Sequence, residues 1–397
     1  MKGIRRKATM GGMRKNTVVG IDIGTFCVKV VIAQIQNNGT PPHIIGTGSA
    51  LSRGLRHGYI TSQVDIIESL KRALAQAQKE ADVKVDRAYV SIGGVGLEDK
   101  YSSAEAIVSR ANSEVTEIDA ENALTEAEAR ISRELLNRKV IHAIPVSYLL
   151  DGEHILGRPV GMHGSKLEVE AMFVTVLEQH LDDIVAAVEA AGVETIDVMA
   201  APIAASLVTL TKQQKMAGCV LANIGAETLS IVVFEENTPI SLKVFPIGST
   251  DITNEIALGL RVPLPEAEQL KRGVVTGSTL PQKKLDDIIA SKLRQMFSLV
   301  QDHLKKIHRA GLLPAGIILT GGGAGIATLE DYARVALKLP SETAGLQLGE
   351  QRLKDASWAV AYGLCIWGAS DDADTIGIDN ARETGMRFLS WFKQFLP

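Results

Sequence analysis

Apolar positions alternate with a period of two in Val18–Ala33 (VVGIDIGTFCVKVVIA), where Val28, Val30 and Ile32 share one face and Lys29 and Val31 sit between them. That pattern predicts two strands about a turn at Gly24 and Thr25. The same grammar returns in Val220–Phe234 (VLANIGAETLSIVVF), which aligns without a gap at a constant offset of 201. Asp22 falls on Asn223, Gly24 on Gly225, Val28 on Leu229, Val30 on Ile231 and Ile32 on Val233. Two copies of a strand-turn-strand unit imply a duplicated domain. Helical spacing follows each copy: Val64, Ile67, Leu70 and Leu74 share a face of Gln63–Glu80, and Ile252, Ile256 and Leu260 share one of Asp251–Leu260. Strands alternating with helices predict an α/β architecture.

Two stretches interrupt the duplication. Residues 85–166 read as an insertion with its own strands (RAYVSIGG, KVIHAIPVSYLL) and one charged helix, Asp119–Arg138, expected to present a solvated face. Residues 263–309 read as a helix-rich subdomain, whose helix Leu285–Ile307 turns Ile288, Ile289, Leu293, Met296, Phe297, Val300 and Leu304 inward. An apolar strand then runs into glycines in Gly316–Ile326 (GIILTGGGAGI), and a helix is expected over Thr328–Leu337. The expected division is a basic arm (1–16), half one (17–84 and 167–202) around the insertion, and half two (203–262 and 310–354) around the helical subdomain. A helix returning to half one (355–369), an acidic linker (370–383) and a terminal helix (384–397) complete it.

Charge and cysteine usage narrow the function classes. The 397 residues carry 42 Lys+Arg against 46 Asp+Glu, a formal charge of −4, which argues against a protein that coats nucleic acid. The arm before Val18 has Lys2, Arg5, Arg6, Lys7, Arg14 and Lys15 without an acid and reads as a solvated leader; it lacks the apolar core of a signal peptide. Cys27, Cys219 and Cys365 stand singly in apolar runs and read as buried reduced thiols of a cytosolic chain. No run reaches the roughly 18 to 20 apolar residues needed to cross a bilayer. The eight histidines have no metal-ligand spacing, and there is no Walker A, GxSxG or Cys/His arrangement; no catalytic residue is assigned.

Aromatic residues make up only 4% of the chain, yet Phe388, Trp391, Phe392 and Phe395 fall in its last ten positions. On a helix, Phe388, Leu389, Trp391, Phe392, Phe395 and Leu396 form one face, with Arg387, Ser390, Lys393 and Gln394 on the other. A core would not concentrate its rings in a tail. Behind an acidic linker, this composition fits a helix lying on a membrane surface. One such helix binds reversibly, and an assembled array would raise avidity by about 10² to 10⁴.

Tight turns present backbone amides to anions, and glycine allows close approach to a phosphate. The paired turns and the Gly321–Gly323 run are therefore expected to bind nucleotide, with Asp22 placed to hold a hydrated Mg²⁺. The segments GIDIGTFCVKVVIA, VLANIGAETLSIVVF and GIILTGGGAGIATLEDYA resemble the phosphate-one, phosphate-two and adenosine motifs of the actin/Hsp70/sugar-kinase superfamily. More narrowly the chain resembles the FtsA family of bacterial cell-division actin homologues. That resemblance rests on SRGLRHGYITSQVDIIESLKRAL (Ser52–Leu74), IHAIPVSYLLDGEHILGRPVGMHGSKLEVE (Ile141–Glu170), FPIGSTDITNEIALGLRVPLPEAEQLKRG (Phe245–Gly273) and the aromatic terminal helix.

The resemblance implies a duplicated actin-like, ribonuclease-H-like ATPase fold with an inserted subdomain that contacts the next protomer of a filament. It implies ATP and Mg²⁺ as ligands, the C-terminal peptide of FtsZ as partner, and a peripheral place on the cytoplasmic face of the membrane at the division site. Other division proteins are expected to bind through 85–166, and no nucleic acid is expected. Carried over by residue, the nucleotide contacts are Asp22, Gly24, Thr25, Asn223, Gly225, Thr228, Gly321, Gly322 and Gly323, with Lys29 as a substitute phosphate cation. Lys292, on the helix Ser291–Leu304, is the expected partner contact.

Departures from the family pattern bear on chemistry. Asn223 replaces the usual Asp, and Gly225, Ala226, Glu227, Thr228, Leu229 and Ser230 stand where Gly-Gly-Gly-Thr-Thr-Asp is usual. Phe26 and Cys27 replace Ser-Lys, and Ala201 stands where an acid commonly precedes Pro202. A carboxylate about 4 Å from a phosphate charge costs roughly 4 kcal/mol at an effective dielectric near 20, a large part of the roughly 8 kcal/mol of a micromolar affinity. Glu227 is therefore expected to point away or to weaken binding. With Asp22 as the remaining carboxylate, at most a weak ATPase is expected. A PilM-like component of type IV pilus assembly is the nearest alternative, and a sugar-kinase-like phosphotransferase lacks its base. The tail reading predicts that the full chain pellets with anionic liposomes and that Trp391→Glu loses most of the pelleted fraction; equal pelleting would sink it.

Overall fold

The computed structural model describes residues 16–36, 40–274, 282–345 and 355–375, and all elements and counts below refer to them. β1 (Thr17–Ile23) runs antiparallel to β2 (Cys27–Gln34), which pairs with β3 (His43–Leu51). A short hairpin of β4 (Leu55–Arg56) and β5 (Tyr59–Ile60) leads to α1 (Gln63–Ala81), which begins where Ser62 accepts the Asp65 amide. α1 buries Ile66, Leu70, Ala73 and Leu74, and lies so close to β3 that a Cβ on Gly48 would sit 2.0 Å from the Ala73 carbonyl oxygen. Its polar side chains also close β3 against further pairing, since Glu80 accepts the Thr47 amide and Gln76 the Ser49 amide.

β6 (Arg87–Ile92) returns parallel to β1. The chain then builds β7 (Glu98–Ile107), α2 (Glu117–Ser132), β8 (Arg138–Leu150), β9 (Glu153–Ile155) and β10 (Lys166–Leu177), with β10 between β7 and β8. α3 (Glu178–Ala190) leads to β11 (Glu194–Ala200), parallel to β6. α4 (Ala201–Thr209) and α5 (Lys212–Ala217) carry the chain into half two. There β12 (Cys219–Ile224), β13 (Leu229–Glu235) and β14 (Thr238–Phe245) repeat the antiparallel meander. α6 (Ser249–Leu260), α7 (Leu264–Lys271) and α8 (Gln282–Lys306) pack together above it. β15 (Ile317–Thr320) lies parallel to β12, α9 (Leu329–Leu337) follows, β16 (Ser341–Thr343) lies parallel to β15, and α10 (Ala359–Thr375) returns to half one.

The strand orders β11-β6-β1-β2-β3 and β16-β15-β12-β13-β14 are the same order twice, so the duplication expected from the hairpins extends to the whole of each sheet. The second sheet continues through one residue pair, Lys243 opposite Glu98, into β7-β10-β8-β9. α2 covers that extension, burying Ala123, Leu124, Ala127 and Ile131 against Val169, Ala171 and Phe173. The Asp119 carboxylate accepts bonds from the Thr116 and Ser109 amides; burial opposes its charge, but these bonds prevail and hold it down at about 2.

Several expected boundaries move. The segment at 87–92 was expected in the insertion, but its parallel pairing with β1 and β11 makes it part of the first sheet; the insertion begins at β7 and includes β10. The charged helix ends at Ser132 rather than Arg138 and buries one face. Its acidic and basic residues are solvated only on the other. α10 continues to Thr375, so the first residues of the expected acidic linker are helical. Cys219 and Cys365 are buried free thiols as expected, whereas Cys27 is half-buried. The anchor residues Phe388, Leu389, Trp391, Phe392, Phe395 and Leu396 lie outside the described residues. Among the described residues no helix is long and apolar enough to cross a membrane.

α10 is held between β1 and α4 by backbone proximity. A Cβ on Gly363 would lie 1.9 Å from the Ala204 carbonyl oxygen, and one on Gly20 would lie 2.1 Å from that of Ala361. Gly363→Val is expected to lower stability by about 2–3 kcal/mol through overpacking, whereas Gly325→Ala, where nothing lies within 4 Å, should be near neutral. Equal urea midpoints for Gly363→Val and the unaltered chain would contradict this packing.

Candidate functional site

The two hairpin turns face one cleft of about 590 Å³ between the halves. Half one contributes Asp22, Gly24, Thr25, Phe26, Ser91 of β6 and Gly93 and Gly94 just after it; half two contributes Asn223, Gly225, Ala226, Thr228 and Gly321–Gly323. The apolar alternation of β1 and β12 fixes their ends at the cleft, so that Asp22 and Asn223 sit one residue short of each strand's terminus. At Gly321 the backbone is left-handed (φ +90), and an added Cβ would meet Asn223 Oδ1 at 2.3 Å; only glycine fits. The Gly323 amide donates to the Ile224 carbonyl at 2.9 Å, tying the loop to the end of β12.

Asp22 is half-buried. Its Oδ1 accepts the Ser91 hydroxyl at 2.8 Å. Burial raises its pKa above the usual carboxylate range, while the Lys29 charge and the Ser91 bond pull the other way. Lys29 stands opposite Asp22 in the β1–β2 register, but its ammonium donates to the Ser357 carbonyl at 2.7 Å and lies 5.8 Å from the Trp358 ring centroid. It lines the cleft where the substitute phosphate cation was expected, and one of its three ammonium protons ties it to the segment before α10. At the opposite wall the Lys271 ammonium is held by Glu268 (2.7 Å), Thr253 (2.9 Å) and the Ser249 carbonyl (3.1 Å). Burial pushes its pKa down, and Glu268 offsets that.

Two family models match this chain. One, Cell division protein FtsA, covers residues 220–363, and the other, SHS2 domain inserted in FTSA, covers 99–175. The chain is 27% identical over 384 residues to Cell division protein FtsA of Pseudomonas aeruginosa, covering 90% of each. It is 28% identical over 342 residues to that of Bacillus subtilis, covering 81% of this chain and 76% of the relative. The chain belongs to the FtsA family. Solved structures of similar fold include a PilM-PilN type IV pilus biogenesis complex (TM-score 0.64, 18% identity, 89% of this chain and 98% of that one). Another is MreB 5 of Spiroplasma citri bound to AMPPNP (TM-score 0.54, 13% identity, 92% and 99%). At these identities the likeness shows the actin-like fold.

Within this FtsA-family cleft the expected phosphate residues Asp22, Gly24, Thr25, Asn223, Gly225, Thr228 and Gly321–Gly323 come together. Ala201 and Ser230, where an acid was found missing, line it too. Glu227 does not: its carboxylate accepts the His57 amide of half one at 2.6 Å. Lys292 lies away from the cleft on α8, paired with Glu255 at 3.0 Å. Among the described residues no three His, Cys, Asp or Glu side chains cluster as a metal site. Asp22 alone suits Mg²⁺, which keeps waters and takes its remaining ligands from phosphates. Sequence reading missed Ser91, Gly93, Gly94, Glu268, Lys271 and Trp358. The strand running into Gly93 and Gly94 was a usable signal that had been assigned to the insertion.

A carboxylate whose pKa is raised by folding destabilises the fold when ionised, so stability is lost as pH rises through its folded pKa. Asp22→Asn should therefore melt higher than the unaltered chain at pH 8 without nucleotide, with the gap closing at acid pH. A lower melting temperature at pH 8 would contradict this.

Proposed function

We propose that this chain is an ATP-binding, self-assembling scaffold that tethers FtsZ to the cytoplasmic face of the membrane during division. The observation that carries the nucleotide part is the convergence of two phosphate-type turns and a glycine loop on one cleft, whose 590 Å³ falls in the usual range for small-molecule sites. Asp22 would hold Mg²⁺, which supplies charge neutralisation for the phosphates. Gly24, Gly225 and Gly321–Gly323 would let the backbone approach them. Lys271 and Glu268 would border the rest of the ligand.

A scaffold is favoured over a phosphotransferase because hydrolysis needs a group that orders or activates the attacking oxygen. At the phosphate turns Asn223, Ser230 and Ala201 offer none, and the Glu227 carboxylate is turned to His57. The nucleotide then serves to hold the halves together for assembly. Membrane attachment rests on the terminal aromatic stripe, and filament formation on the family likeness and the insertion. The FtsZ peptide is assigned to the α6–α8 subdomain, with Lys292 as an acidic-peptide contact.

ATP with Mg²⁺ should bind with micromolar affinity by calorimetry, and Asp22→Ala should weaken it about tenfold or more. Steady-state phosphate release should be slow, and robust turnover with an added sugar would overturn the scaffold reading. A labelled FtsZ C-terminal peptide should bind the full chain and lose affinity about tenfold in Lys292→Glu, a loss of about 1.4 kcal/mol. No binding by the unaltered chain would remove FtsZ as partner.

A further inference from the structure

Glu227 is the residue of the second turn that the cleft does not use. Its neighbours Ala226 and Thr228 line the cleft, while its carboxylate reaches half one and accepts the His57 amide at 2.6 Å. The contact is doubled, because His57 Nδ1 lies 3.1 Å from the Glu227 carbonyl oxygen. A carbonyl only accepts, so Nδ1 is the protonated ring nitrogen.

His57 is itself fixed. It has φ +49 and precedes Gly58 at φ +89 in the β4–β5 turn. A Cβ on Gly58 would lie 2.4 Å from Gly94 Cα, and the Val95 amide donates to the His57 carbonyl at 3.3 Å. Gly93 and Gly94 directly follow the strand whose Ser91 holds Asp22. A continuous path of short contacts therefore runs from the second phosphate turn, through the β4–β5 hairpin, to the strand end beside the first. It is a noncovalent crossing, separate from the covalent ones through α4 and α10.

We propose that Glu227 is a positioning residue that clasps the two halves across the phosphate end of the cleft, so that nucleotide enters and leaves only when its contact with His57 opens. This rests on the nucleotide reading above. An ionised carboxylate on a backbone amide is a strong, charge-assisted bond, and because its donor is main chain, Glu227 is the side chain through which this stronger half of the clasp can be removed, the His57 Nδ1 bond to the Glu227 carbonyl remaining. The clasp joins protein to protein and needs no ligand, so it acts on the free and the loaded chain alike. Removing it lowers one barrier crossed in both directions. A residue that merely touched phosphate would instead change the exit rate alone.

Stopped-flow with a fluorescent ATP analogue and Mg²⁺ on the full chain tests this with Glu227→Ala and Glu227→Gln. Association and dissociation should both quicken about tenfold in Glu227→Ala, the scale of one charge-assisted bond, with Kd changing less than about threefold. Glu227→Gln, which keeps an acceptor oxygen, should fall between. Unchanged rates, or faster dissociation at an unchanged association rate, would overturn the clasp. Hydrogen exchange without nucleotide gives an independent readout: Glu227→Ala should speed exchange at residues 54–60 and 93–97, with overall stability in urea lowered by no more than the same tenfold, about 1.4 kcal/mol. Unchanged exchange there would overturn the clasp even if the unaltered chain bound no nucleotide, an outcome that by itself removes only the nucleotide reading.

Discussion

The cleft exists because α10 lies against both β1 and α4 at backbone distance. Gly20 and Gly363 have no room for a methyl group, so the helix that ends the described chain is seated between the first strand of half one and the helix that leads into half two. Around that seat Tyr362, Leu364, Cys365 and Trp367 are buried with Ile203, Ala204, Ala205 and Val208. Close packing of this kind transmits small displacements because interiors have little free volume. The separation of the two hairpin turns thus depends on a contact made outside the turns as well as on the Glu227–His57 bond between them.

Given that spacing, the electrostatics of the cleft are decided by which charges are spoken for. Lys29 is committed to the Ser357 carbonyl, Lys271 to Glu268, and Glu227 to His57. What remains at the turns is Asp22, half-buried, its ionised form disfavoured by burial and partly restored by the Lys29 charge, beside backbone amides. Such a site has more to gain from a cation with its phosphates than from either alone, because the cation favours the ionised carboxylate and the phosphates complete the cation's shell. The unliganded fold carries that cost in advance.

Much of this was legible in the chain because the duplication is written in two-residue periodicity, which a reader can align by register: Asp22 on Asn223 and Gly24 on Gly225 are the same place twice. The glycines of 321–323 were legible for a similar reason, as an apolar strand that ends in residues without side chains. What the sequence did not reveal depends on long-range pairing. Residues 87–92 read equally well as a strand of the insertion or of the first sheet, and only their parallel register with β1 and β11 decides. Lys29 carries the right charge at the right strand position, but its partner is 328 residues away. Lys271 and Glu268 sit in an ordinary charged helix turn, and nothing local marks them as cleft residues.

The insertion raises the same point about distance. Its chain leaves from half one, yet its sheet continues that of half two, with Asp99 of β7 accepting both the Ser241 hydroxyl (2.7 Å) and the Leu242 amide (2.8 Å) of β14. Ser241 is buried and also lies 2.9 Å from His303 Nε2 on α8. Since the Ser241 hydroxyl has one proton and gives it to Asp99, His303 must be the donor in that contact, which fixes its Nε2 as protonated. On the other side His142 of β8, neutral because burial pushes its pKa down to about 3, accepts the Ala200 amide at the end of β11. The insertion is therefore bonded to both halves, through a carboxylate on one side and a neutral imidazole on the other. It can shift relative to either only by breaking a buried polar contact, and an unpaired buried polar group costs more than the bond itself contributes. Motion between the halves must therefore either carry the insertion as a body with one of them or be resisted by it.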